Sequence, residues 1–93
     1  MQLKDTVELM NSADYKERFK AEYYQTKIRY EKLKAFNTRI EASRITNNSW
    51  NDGVKVEMPV HDCPDELLRN QQEAMGRYLH YLEVRAVIEG IEL

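Results

Sequence analysis

Apolar residues recur at helical spacing along most of the chain, in one stretch from about Asp14 to Arg44 and another from about Pro64 to Glu89. In the first, Phe19, Tyr23, Thr26, Tyr30, Leu33, Asn37 and Ile40 are separated by alternating steps of four and three. This is the seam that packs helix on helix. A second row through Ala21, Tyr24, Ile28 and Ala35 widens the apolar surface, so one neighbouring helix covers only part of it. Lys20, Lys27, Lys34 and Glu31 make up the face expected in solvent. In the second stretch Leu68, Met75 and Leu82 stand at heptad spacing, with Gln71, Gln72, Tyr78, Leu79 and Ala86 beside them. Leu67, Ala74, Tyr81 and Ile88 broaden that stripe.

Local signals set the ends of these elements. Leu3, Val7 and Met10 predict a short helix from about Lys4 to Asn11, with Asp5 and Glu8 spaced as a capping box. Asp14 and Glu17 repeat that spacing and start a second helix near Tyr15. No Gly or Pro occurs before Gly53, so this helix should continue to the polar Thr46-Asn47-Asn48-Ser49 stretch. Trp50-Asn51-Asp52-Gly53 is a turn signal, and Val54, Val56 and Met58 alternate with Lys55 and Glu57 behind it. With Arg44-Ile45-Thr46 in front, the segment fits a small β-hairpin and a plain excursion between helices equally well. Pro64 suits the first turn of a third helix, with Asp62 or Cys63 as its cap and Asp65 and Glu66 favoured by the helix dipole. Gly90 reads as a left-handed stop with Ile91 folding back. Gly76, inside the helix, costs about 1 kcal/mol relative to alanine, which points to a close helix approach or a kink.

The expected fold is all-α, one domain over residues 1–93: a short N-terminal helix, then a long antiparallel helical hairpin with an irregular loop at 44–63. Two helices cannot enclose a core by themselves. The hairpin is therefore expected to bury its stripe against other copies of the chain, as a homo-oligomer.

Composition narrows this picture. A chain of 93 residues is marginal without a disulfide, a metal or partners. Cys63 is the single cysteine, so no intramolecular disulfide forms. Met1 to Met10 carries Lys4, Asp5 and Glu8, unlike the apolar core of a secretion signal. No apolar run approaches the ~20 residues that cross a bilayer. A cytoplasmic protein without a membrane partner is expected. Charge is unevenly placed: Asp14–Arg44 holds nine Lys/Arg against five Asp/Glu, a net of +4, and Glu57–Leu93 holds three against eight, a net of −5. The two helices should attract each other, and the basic excess typical of duplex-binding domains is missing.

Candidate chemistry is sparse. His61-Asp62-Cys63 has metal-ligand residue types, but a zinc site needs about four ligands and the other histidine, His80, lies mid-helix. Capping and turn formation explain the cluster more simply. The three scattered glycines make no phosphate-cradling loop, no pair of carboxylates stands out, and neither enzymatic activity nor a cofactor is expected. The six tyrosines, Tyr15, Tyr23, Tyr24, Tyr30, Tyr78 and Tyr81, lie on the two long helices among Lys and Arg. A tyrosine ring can stack on a base while a nearby Arg or Lys holds a phosphate. Tyr23 and Tyr30 belong to the packing seam, whereas Tyr15, beside Lys16 and Arg18, is the freest to meet a ligand. Arg69, Arg77 and Arg85 recur every eight residues, drifting by ~80° per step into a slanting row. They are expected to pair with Glu17, Glu22 or Glu31, leaving one for an anion.

Asp14-Tyr15-Lys16-Glu17-Arg18-Phe19-Lys20-Ala21-Glu22-Tyr23, Cys63-Pro64-Asp65-Glu66-Leu67-Leu68, Gln72 to Leu79 and Leu82 to Ile91 together resemble a family of small phage and prophage proteins related to a protein of a crAss-like gut phage. More distantly, the helix, variable loop, then Pro64, Leu67, Met75, Leu79 and Arg85-Ala86 are similar to the hairpin of phage anti-CBASS and anti-Thoeris sponge proteins. The Arg-Ala pair falls about two positions later here than in those proteins. The resemblance implies a helical oligomer in the host cytoplasm that sequesters a cyclic nucleotide or cyclic ADP-ribose derivative without cleaving it. Tyr15, Lys27 and Arg69 are the nearest counterparts of the ligand-binding residues, and Arg77 joins them as a candidate. Two other readings stay open: a protein-directed inhibitor of a host defence enzyme, resembling anti-CRISPR proteins, and a helical assembly protein without a ligand.

Overall fold

Residues 1–48 and 53–93 are described by the structure, a computed structural model. A 3₁₀ turn at Leu3–Asp5 runs into a short helix α1 (Thr6–Met10), followed by α2 (Tyr15–Asn47) and α3 (Asp65–Glu89). The short helix starts differently from expectation. Asp5 Oδ2 accepts the Gln2 N–H at 2.8 Å, so its carboxylate serves the turn before α1 instead of accepting the backbone N–H of Glu8. Thr6, fully buried, donates its hydroxyl to Leu3 O at 2.7 Å and seals that junction.

The start of α2 follows the sequence more closely. Asp14 caps the helix by accepting the Lys16 N–H at 3.0 Å. Its own N–H goes to Ser12 Oγ at 3.0 Å, which takes the place of the Glu17 half of the expected box. Without Gly or Pro to stop it, α2 carries Arg44, Ile45 and Thr46 within its last turns. The expected β-hairpin is thus corrected, because its first strand is helical and no strand occurs among the described residues. The returning chain instead lies along the helix end. Val56 N–H donates to Thr46 Oγ1 at 3.0 Å, Asn47 Nδ2 to Val56 O at 3.3 Å and Lys55 Nζ to Thr46 O at 2.7 Å. The turn expected at Trp50-Asn51-Asp52 falls outside the described residues.

At the other side of the loop, Pro64 is itself the residue before the helix, with φ −59° and ψ 139°, and neither Asp62 nor Cys63 caps it. Asp65 opens α3 and is held from two directions: by His61 Nε2 at 3.1 Å and by an ion pair with Arg44 of α2. Gly90 ends the helix at φ 69°, ψ 32°, and the Ile91 N–H donates back to Ala86 O at 2.8 Å, burying the Ile91 side chain. That stop matches the sequence reading.

Packing divides along the two apolar rows of α2. Phe19 and Tyr23 meet Leu79, Leu82, Ala86 and Ile91 in one buried cluster, with Tyr24 and Tyr30 packed against it. The second row takes the N-terminal segment. Met10 lies by Arg18, Glu22 and Gln25, and Met1 to Lys4 lie by Ile28, Glu31, Lys32 and Ala35, so the segment runs antiparallel to α2. Ala21, on that row, is completely buried. At Gly76 the close approach is real: a Cβ there would lie 3.2 Å from Tyr30 Cε1, and α3 continues through it as one helix.

Charge ties the hairpin together, though through hydroxyls more than through arginines. Tyr15 donates to Glu89 Oε1 at 2.9 Å, Tyr23 to Glu83 Oε2 at 2.7 Å, and Tyr78 to Glu22. The expected pairing of the α3 arginines with Glu17, Glu22 or Glu31 is replaced at Arg85. Its guanidinium bonds Glu89 one turn along its own helix at 3.1 Å and the Tyr15 hydroxyl at 2.7 Å. An i,i+4 partner on the same helix is already in place and needs no second element to bring it close.

Candidate functional site

The side of α3 that runs through Arg69, Gln72, Glu73, Gly76, Arg77, His80 and Tyr81 forms, with Tyr30 of α2, an open groove of about 650 Å³. Those positions repeat at three- and four-residue steps, so helical geometry alone brings them to one side. Gly76 lies at the centre. Its missing side chain lets the Tyr30 ring cross toward α3, leaving a shallow floor. Arg69 and Arg77 stand eight residues apart, roughly 12 Å along the helix. Two guanidiniums at that spacing, with Glu73 as the acid between them, suit a ligand carrying more than one anionic group. Tyr81, 63% exposed, offers a ring for a planar partner, and the half-buried Tyr30 offers a second.

A smaller groove of about 300 Å³ lies beside it, between Lys34, Asn37, Thr38, Glu41 and Arg44 of α2 and Asp65, Arg69 and Gln72 of α3. Arg69 and Gln72 line both. Inside the small groove, Asn37 Nδ2 donates to Leu68 O at 3.1 Å and to Gln72 Oε1 at 2.9 Å.

Of the four residues proposed from sequence, the fold brings Arg69 and Arg77 together and leaves Tyr15 and Lys27 elsewhere. Tyr15 sits where the two chain ends of the hairpin meet. Its hydroxyl lies between Glu89 and Arg85, and its ring centroid lies 6.2 Å from that of Phe19. The bond to Glu89 and partial burial hold the Tyr15 hydroxyl above the ordinary tyrosine pKa, although Arg85 pulls the other way. The guanidinium of Arg85 also rests 5.1 Å from the Phe19 ring. Lys27 Nζ stands 5.8 Å from the Tyr23 ring centroid, a cation–π contact on the packing seam. Tyr23 itself is pushed up to about 12 by burial and by its bond to Glu83.

Sequence reasoning counts Tyr30 and Tyr81 among six tyrosines able to stack on a base without singling them out, and it sets His80 aside. By spacing alone Tyr30 and Tyr81 fall within the apolar stripes, and His80 stands too isolated for zinc. The legible signal is Gly76, since a close approach in the middle of α3 implies a depression beside it. His61 turns inward, with Nε2 on Asp65 and its ring edge-on to Phe36 at 5.6 Å, while Cys63 is exposed. Among the described residues no three His, Cys, Asp or Glu side chains gather as a metal site, and no helix is long and apolar enough to cross a membrane.

Fold and site together define an α-helical hairpin with a mixed cationic and aromatic cleft between its long helices. Residues 13–88 match the model of the Sequestin family, and the chain belongs to that family. The matched span covers α2, the loop and nearly all of α3, and so contains both grooves. No curated protein and no solved structure matches the chain.

Proposed function

We propose that this protein sequesters a small anionic nucleotide signal, of the cyclic nucleotide or cyclic ADP-ribose type, and holds it without cleaving it. The observation that carries the reading is the larger groove, where Arg69 and Arg77 face the same cleft as Tyr30 and Tyr81. Guanidiniums neutralise phosphates in fork geometry, and tyrosine rings stack on bases. The name of the family, Sequestin, itself denotes sequestration. No general base, nucleophile or metal is assigned to the cleft, and the proposal asks for none. In the host cytoplasm such a protein serves a phage by withdrawing the signal on which a defence system depends.

Self-association belongs to the same proposal. The radius of gyration is 17.4 Å, against about 12 Å for a compact domain of this length. Tyr81, Val84, Val87 and Ile88 stand exposed on the outer side of α3. Leu67, Asn70, Ala74, Arg77, Tyr81, Val84 and Ile88 recur at alternating three- and four-residue steps. That is a second helix-packing seam, and a second copy is its natural occupant. It passes through Arg77 and Tyr81, so the partner copy would wall the open side of the groove.

Calorimetry against cyclic dinucleotides, cyclic trinucleotides and cyclic ADP-ribose isomers tests the reading. At least one should bind in the micromolar range or tighter, and Arg77→Glu should weaken it by about 30-fold or more, the loss of a charge-assisted contact replaced by repulsion. Silence from every member of the panel refutes the proposal. Sedimentation across a concentration series addresses assembly: a strict monomer at high micromolar concentration removes that part.

A further inference from the structure

Three of the six tyrosines commit their hydroxyls between the long helices: Tyr15 to Glu89, Tyr23 to Glu83 and Tyr78 to Glu22. Tyr30 departs from that pattern. Its ring is half-buried and packs against the apolar cluster. Among the described residues no group is hydrogen-bonded to its hydroxyl, although a tyrosine hydroxyl carried into a packed interface normally finds a partner. Nor is the hydroxyl sealed in. The buried side-chain oxygen and nitrogen atoms that lack a hydrogen bond belong to Asn37, His61 and Asp65, and Tyr30 Oη is not one of them. It therefore keeps accessible surface, and Tyr30 lines the larger groove.

Gly76 decides where that hydroxyl emerges. A Cβ at Gly76 would lie 3.2 Å from Tyr30 Cε1 and 3.5 Å from Oη. The end of the phenol thus stands at the place that a side chain of α3 would fill. On a helix the neighbours of that place are the residues three and four positions away. Gln72 and Glu73 stand one turn before it, His80 one turn after, and Arg77 follows Gly76 directly; all four line the groove. In effect α3 borrows a side chain from α2 at the centre of its ligand-facing side. Packing already holds the ring, so the hydroxyl has little freedom to lose when a ligand arrives. A hydroxyl that donates to an ionised oxygen makes a short bond about twice as strong as one to a neutral acceptor.

We infer that the Tyr30 hydroxyl is a ligand-contacting donor of the larger groove, that it donates to a phosphate oxygen held alongside the arginines, and that Gly76 is the positioning residue that admits it. This rests on the sequestering role proposed above and names an atom that role requires. Arg69 and Arg77 supply charge, and the hydroxyl supplies a directed contact at fixed depth. The ring of Tyr30 serves to hold its own hydroxyl in place, which leaves the more exposed Tyr81 for the planar part of the ligand.

The probes are the cyclic ADP-ribose isomers and the cyclic di- and trinucleotides, and the one that binds wild-type protein most tightly is titrated into each variant. Tyr30→Phe keeps the ring and removes only the hydroxyl. It should weaken binding by about 10- to 100-fold, the loss of one hydrogen bond to a charged group. Its melting temperature should stay within about 3 °C of wild type, because no bond inside the protein is lost. Tyr23→Phe, which removes a hydroxyl bonded to Glu83, should leave the affinity unchanged. Gly76→Ala should weaken binding by about tenfold in the wild-type chain and have no further effect in Tyr30→Phe, since the methyl acts by displacing a hydroxyl that is no longer there. Equal losses from Gly76→Ala in both backgrounds would mean that the methyl obstructs the ligand directly, and would overturn the positioning role. If Tyr30→Phe binds as tightly as wild type while Arg77→Glu abolishes binding, the hydroxyl assignment is wrong and the sequestering role survives. If no probe binds wild-type protein, both fall together.

Discussion

The two halves of the hairpin are built on opposite principles. Toward the chain ends, Phe19, Tyr23, Leu79, Leu82, Ala86 and Ile91 close into an apolar cluster, and the polar groups there are tyrosine hydroxyls already engaged by carboxylates. Toward the loop, the same two helices meet through Asn37, Gln72, Arg44 and Asp65, and two grooves open between them. The apolar cluster lies in the first half and the open grooves in the second. A long hairpin permits this separation because each turn of helix packs mainly against the turn opposite, so one end can be dry and tight while the other stays polar and open.

Substitutions at the dry end should therefore outweigh those at the wet end. The largest effect is expected from Leu82→Ala: with Leu82 at 1% exposure, deletion should cost about 2–5 kcal/mol. At fixed protein concentration the melting temperature should fall by about 10 °C or more. A loss below about 1 kcal/mol would show that the cluster is not the centre of stability.

Next comes pH. Tyr23 is held up to about 12 in the fold, above the ordinary tyrosine value of 10.0, so its protonated form is favoured by folding. The contribution is intact below pH 10, is lost as pH rises from 10 to 12, and amounts to about 2–3 kcal/mol. Denaturant titrations across that window should report it, and in Tyr23→Phe this part of the slope should vanish. An unchanged slope in the variant would place the alkaline loss elsewhere.

A smaller effect is expected at the helix stop. Gly90→Ala keeps open space around the new methyl but forces a left-handed residue, at about 1–2 kcal/mol. At the wet end, Arg77→Ala should change stability by less than about 0.5 kcal/mol, even though it removes a groove cation. If chemical denaturation finds Arg77→Ala as damaging as Leu82→Ala, the division into two halves fails.

How much of this is legible in the chain depends on range. Asp14, Gly90 and the seam from Phe19 to Ile40 act through neighbours a turn or two away, and those readings match the fold in outline. The expectations for Glu8, Pro64 and the Ile45 segment fail where a nearby alternative competes. Gln2 offers an N–H to Asp5, Asp65 is anchored by His61 and Arg44, and nothing in the chain interrupts α2 before Asn47. Site residues are harder. Tyr15 reads as free because Arg85 and Glu89, its partners, are 70 and 74 residues away. Arg69 and Arg77 share a groove because both lie on one side of one helix, while Tyr30 needs Gly76 and a second helix to enter it.

The three tyrosine–carboxylate bonds also act as a ruler between the helices. Two run from α2 to α3, at Tyr15 and Tyr23, and one runs back, from Tyr78 to Glu22. A slip of one residue moves a helix by about 1.5 Å and turns each side chain by about 100°, more than a hydrogen bond tolerates, so every such slip breaks all three at once. The alignment of α2 on α3 is thus digital. Tyr30 stands opposite Gly76 and Asn37 opposite Gln72 because no intermediate alignment exists, and the walls of the cleft are set along with it.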